Sequence, residues 1–195
     1  MKFKVSFNSP VVLIFIFICF IATIAGETTP TVNRVIFVTY HSSLSDPMTY
    51  LRFFTHVFGH ANFDHFWSNS LMILLLGPML EEKYGSDKLI VIMLLTALAT
   101  GLVHYIFFWN VSLLGASGIV FSFILLTSFT GFKDGEVPLT FILVALIYLG
   151  EEIYTGLSRI DNIAHTAHII GGLVGAAAGY KLNKRTASIE NDILD

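Results

Sequence analysis

Charge is what this chain has least of. Only 13% of its 195 residues are Asp, Glu, Lys or Arg, about half the share expected of a soluble domain, roughly 25%. None occurs from Leu89 to Phe132, a run of 44 residues. A water-soluble fold can bury a short uncharged stretch, but not one of that length. The single cysteine, Cys19, lies inside an apolar run, which excludes an intramolecular disulfide and a cysteine-based zinc site. Basic residues form no cluster of the kind that nucleic acid requires, so no nucleic-acid partner is expected. The net charge of −3 sits in loops and tails and says little about partners. Internal repeats and low-complexity stretches are also missing, which leaves a single membrane domain over residues 1–195.

What fills the chain is hydrocarbon. Hydrophobic residues make up 54% of it and Phe alone contributes 18, a composition suited to the lipid bilayer. Six apolar segments are expected to be helices: Pro10–Gly26, Asn62–Leu80, Lys88–Phe107, Gly115–Phe132, Val137–Gly150 and Ile163–Lys181. The fold class is therefore all-α, a polytopic bundle of six transmembrane helices. A span needs about 20 helical residues, so the short fifth segment should run on through Tyr154 or lie tilted. The polar tail over 186–195 should fray. The first segment also fits a secretory signal, with Lys2 and Lys4 ahead of it and Thr23-Ile24-Ala25 as a cleavage site. A retained helix is the preferred reading, and Glu27 lies outside in either case.

Positive charge sets the direction. With the N-terminus in the cytoplasm, Lys2, Lys4, Lys83, Lys88, Lys133, Lys181, Lys184 and Arg185 fall inside, and only Arg34, Arg52 and Arg159 fall outside. Eight against three accounts for all eleven and favours both termini in the cytoplasm. Segments two, four and six then enter from the outer face.

Polar residues within spans are costly and mark function. Here they gather at one depth. His60 and His65 open the second segment with Asn69 one turn deeper, Ser117 opens the fourth, and His165 and His168 open the sixth. His65 and Asn69, at i and i+4, share a face. His168, Gly171 and Gly175 share another, and Gly179 continues a small-residue stripe that lets a second backbone come close. In Gly115-Ala116-Ser117-Gly118 small neighbours leave the serine hydroxyl unshielded, and a helix start offers unpaired N–H groups. These are the parts of a serine hydrolase: Ser117 as nucleophile, His168 as general base, and an oxyanion site from Asn69, His65 and the Ser117 N–H, with Gly115 beside it. Asp64 adjoins His65 but points elsewhere, so a Ser–His dyad is expected instead of a triad.

Together these motifs resemble the rhomboid family of intramembrane serine proteases, over roughly residues 50–182. His56-x3-His60-x4-His65-x3-Asn69 is similar to the family's second-helix signature, and Glu81-x3-Gly85-Ser86 to the turn that follows. Gly115-Ala116-Ser117-Gly118 is similar to its nucleophile motif, and Ala167-His168-x2-Gly171-x3-Gly175 to its base motif. The resemblance implies a six-helix bacterial-type core in the inner (plasma) membrane and cleavage of single-span membrane proteins near their outer boundary. It implies no metal and no ATP, and it makes His168 the base in preference to His165. Two positions depart from the pattern. Leu51-Arg52 stands where Trp-Arg is frequent, and Phe121 where Tyr is common, whose ring can still stack on His168.

Two readings of other classes stand beside this one. Histidine pairs such as His56/His60 suggest a metal or proton transporter, against which speaks their position at one surface instead of the midplane. An inactive helix-binding relative is the other, and retention of both Ser117 and His168 speaks against it. Among the remaining residues, His56 should order the outer loop, His104 should lie at the membrane surface, and His165 should line the wet mouth of the site. Glu151-Glu152 and Arg159-Asp161 should form a solvated loop. Oligomeric state is left open.

Overall fold

A computed structural model describes residues 6–131, 136–158 and 163–194. Among these residues eight α-helices run in the order α1 (Pro10–Thr28), α2 (Pro30–Val32), α3 (Pro47–Thr55), α4 (Phe63–Tyr84), α5 (Ser86–Phe107), α6 (Ser117–Ser128), α7 (Leu139–Ser158) and α8 (Ile163–Leu194). Among the described residues there is no strand, and Thr39 and Leu113 form an isolated antiparallel bridge. Two helices, α1 and α5, are both long and apolar enough to cross a membrane by themselves, and α6 is apolar but has only 12 residues.

The bundle is built inside out. Leu71, Leu75 and Leu146 are exposed on its flanks, whereas Thr23, Thr96, Thr100, His104 and Ser122 are buried within it. Water would favour the reverse arrangement. α6 is the central helix, with every residue from Gly118 to Leu126 buried. It packs on α8 through glycine. A Cβ on Gly171 would stand 2.8 Å from the carbonyl carbon of Gly118, and one on Gly175 2.8 Å from Cα of Ser122. Only glycine permits backbones to meet at that range.

The turn from α4 to α5 anchors α1. Gly85 adopts φ +86°, a conformation that favours glycine. The buried Glu81 carboxylate accepts the N–H groups of Val11 and Val12 at 3.0 and 3.1 Å and the Ser86 hydroxyl at 2.7 Å. It thus satisfies orphan donors at the start of α1 and places a negative charge at the positive end of that helix. Val12, Phe15, Cys19 and Thr23 are in turn buried in the bundle.

Several sequence expectations are corrected. The connection from α1 to α4 carries a helix of its own, α3, which residue patterning did not reveal. It buries Thr49, Arg52 and Phe53, and Asp46 caps it by accepting the Met48 N–H at 2.9 Å. The fifth segment extends to Ser158, so Glu151 and Glu152 belong to α7 and not to a loop; Arg159 and Asp161 lie outside the described residues. α8 runs on to Leu194, and no proline or glycine follows Gly179 to stop it.

Candidate active site

Three helix starts converge on one space. α4 begins where it does because Asn62, in extended conformation, caps it: its Oδ1 accepts the His65 N–H at 2.8 Å. That puts His65 in the first turn and Asn69 one turn deeper. α6 begins at Ser117, after a bend at Gly115 with φ +124°. As the first residue of the helix, Ser117 has no N–H partner within it. α8 brings His168 in alongside, held close by Gly171 and Gly175.

His65, Asn69, Ser117 and His168 all line a cavity of about 490 Å³. Ser68, Ser112, Leu113 and Leu114 line it too, together with apolar Met72, Val120 and Phe121. The His168 imidazole lies flat on the Phe121 ring, with centroids 4.2 Å apart and planes 8° from parallel. Stacking therefore survives without a tyrosine hydroxyl. Asn69 is 6% exposed, and its Nδ2 has no hydrogen-bond partner. A buried amide donor left unpaired costs about 1–3 kcal/mol, so a donor kept waiting at a cavity wall is suited to charge that appears during a reaction.

Gly115 does not line the cavity. Its N–H already donates to the His56 carbonyl at 2.9 Å, so it has no donor to offer. Its service is room: a Cβ there would come within 2.7 Å of the His65 ring. His60 stands behind His65, with ring centroids 5.1 Å apart. His165 is not among the cavity walls, contrary to expectation; its ring lies 6.4 Å from that of His168.

Two histidines outside the cavity prove structural. His56 is buried, its Nδ1 facing the Arg52 carbonyl at 3.2 Å and its Nε2 facing the Thr100 hydroxyl at 3.2 Å, so it orders the outer loop as its sequence position suggests. His104, in the last turn of α5, is buried too, and its Nε2 donates to the Val111 carbonyl at 3.1 Å. Between α3 and α4, burial pushes both His56 and His60 down to about 4 from the usual 6.5, which keeps both rings neutral. Arg52 is buried as well. It pairs with Asp46 at 3.2 Å and lies over the Tyr40 ring at 4.6 Å. Arg52 thus anchors the segment that leads into α3, with Leu51 as the residue before it. Among the described residues no group of three or more His, Cys, Asp or Glu side chains is placed to hold a metal ion.

The sequence matches the Rhomboid domain family over residues 47–185, more than half of the chain. The chain belongs to the rhomboid family. Curated relatives include Rhomboid protease GluP of Bacillus subtilis, 26% identical over 90% of this chain and 35% of that protein. Rhomboid protease GlpG of Salmonella paratyphi A is 31% identical and that of Salmonella newport 33%, each over 66% of this chain and 47% of theirs. The chain thus spans half or less of the length of these relatives. Rhomboid relatives are membrane proteins, which agrees with the apolar flanks and with α1 and α5.

Proposed function

We propose that this rhomboid is an intramembrane serine endopeptidase that hydrolyses peptide bonds of single-span membrane proteins by a Ser117–His168 dyad. The observation that carries the reading is the single cavity walled by Ser117, His168, Asn69 and His65 together. The Ser117 hydroxyl attacks the scissile carbonyl while His168 takes its proton. The oxyanion that forms accepts hydrogen bonds from the Asn69 amide, the His65 ring and the Ser117 N–H. His168 then returns the proton to the leaving amine, and water repeats the sequence on the acyl-enzyme. Phe121, flat against His168, holds the imidazole plane through both transfers. The segment Ser112–Leu114 is extended, with one edge taken by Thr39. Its other edge borders the cavity and offers a substrate strand backbone pairing.

Six spans with both termini in the cytoplasm belong to the same reading, supported by the distribution of lysine and arginine. This topology places the cavity near the outer face, and a retained α1 is supported by its Glu81 cap. The test is purified protein in liposomes with a panel of single-span substrates, wild type beside Ser117→Ala. Wild type cleaves at least one substrate near its outer boundary, and Ser117→Ala cleaves none while keeping its helical content. Cleavage by Ser117→Ala at the wild-type rate refutes the assignment.

A further inference from the structure

The loop that delivers Ser117, residues 108–116, is held at alternate residues. The Trp109 ring stacks on His41, with centroids 4.2 Å apart and planes 7° from parallel. The Val111 carbonyl accepts from His104 at 3.1 Å. Leu113 exchanges both backbone hydrogen bonds with Thr39, each at 2.9 Å, and the Gly115 N–H donates to the His56 carbonyl at 2.9 Å. Ser112, Leu113 and Leu114 border the cavity, so the ties hold the stretch that walls the site.

Two of the four ties come from a short stretch of the first outer loop. Thr39 is buried, and its hydroxyl donates to the Arg52 carbonyl at 2.6 Å, the same carbonyl that faces His56. Leu113, Thr39, Arg52, His56 and Gly115 therefore form one closed circuit between α3 and the loop. Outward from it, His41 stacks on Tyr105 as well as on Trp109, at 4.7 Å, and its Nδ1 donates to the Tyr105 carbonyl at 3.2 Å. The Tyr105 hydroxyl donates to the Ser42 carbonyl at 2.6 Å.

We propose that residues 39–42 form a strut that fixes the geometry of the nucleophile loop, and that His41 is its outer positioning residue, acting on Ser117 through Trp109. The strut rests on the reading of Ser117 as nucleophile. Its inner ties are buried, and their loss disturbs the fold. Its outer end is accessible: His41 is exposed and Trp109 is 64% exposed, so both can be changed with little effect on the core. Aromatic stacking is the contact at issue, so a phenyl ring at position 41 preserves it and a methyl does not.

The test uses His41→Ala, His41→Phe, Trp109→Ala and the His41→Ala/Trp109→Ala double variant of the full chain in detergent. Two quantities are read: the rate at which a fluorophosphonate probe labels Ser117, and hydrogen exchange over residues 108–116. The probe has no transmembrane segment, so its rate reports nucleophile geometry without substrate docking. His41→Ala and Trp109→Ala each slow labelling about 3- to 10-fold, the size of one aromatic stack. The double variant is no slower than the worse single, because both act through one contact. His41→Phe stays within about 2-fold of wild type, and exchange in the loop rises only in the variants that lose the stack. Equal loss in His41→Phe and His41→Ala overturns the stacking basis, and unchanged exchange in His41→Ala overturns the strut whatever Ser117 does. Labelling of Ser117→Ala at the wild-type rate overturns instead the reading of Ser117 as nucleophile.

Discussion

Gly171→Ala adds one methyl group where the catalytic geometry has no room for it. The new Cβ would stand 2.8 Å from the carbonyl carbon and 3.0 Å from Cα of Gly118. Carbon atoms rest at about 3.5–4.0 Å, so the two helices must part by roughly 1 Å. Neither contact can be relieved by a side-chain rotation, since both neighbouring atoms are backbone. Gly118 follows Ser117 directly, and Gly171 lies one turn below His168. The parting therefore falls between Ser117 and His168, the proposed nucleophile and base, which ride on opposite sides of the contact. A displacement of about 1 Å in a positioned pair costs on the order of 10²-fold in rate. The assay is kcat on a cleaved single-span substrate, measured at a temperature where circular dichroism shows the variant fully folded. KM should change little, because the cavity walls Met72 and Asn69 belong to α4. A folded Gly171→Ala variant with kcat within twofold of wild type would show that the approach of α6 and α8 serves packing alone.

Three further outcomes are expected. Asn69→Ala should lower kcat more than it raises KM, by less than the roughly 10²–10³-fold of an irreplaceable oxyanion donor, since His65 partly substitutes; an unchanged kcat removes Asn69 from the mechanism. Glu81→Ala should leave two α1 N–H groups and the Ser86 hydroxyl without their acceptor and lower the melting temperature by several degrees, with kcat of the folded fraction unaltered; loss of kcat at constant stability contradicts a purely structural Glu81. For pH, burial depresses the His56 and His60 pKa values to about 4, below their unfolded value of about 6.5. Their stabilising contribution is then full above pH about 6.5 and lost as pH falls toward 4, on the order of 3 kcal/mol each. Replacing His56 with Asn should flatten the fall in melting temperature across that window, and an equally steep fall in the variant refutes the linkage.

Sequence alone determined which residues are expensive to place in hydrocarbon. Ser117, His168, His65 and Asn69 were legible because a polar group inside an apolar helix has few explanations, and because helix pitch fixes which of them share a face. The stripe Gly171, Gly175 and Gly179 was legible for the same reason: small residues at fixed spacing announce a close neighbour. What spacing along one helix cannot say is which neighbour, or which backbone groups remain free after the chain has folded. Only the tertiary structure decided that α6 is the neighbour of α8, that Gly115 makes room for His65 while its N–H is spent on His56, and that His104 ties down the Val111 carbonyl. It also decided the form of the outer loop. α3 and the Thr39–Leu113 bridge depend on buried Arg52 and on contacts made 74 positions apart in sequence (113 − 39), and local periodicity carries no trace of pairings over that distance.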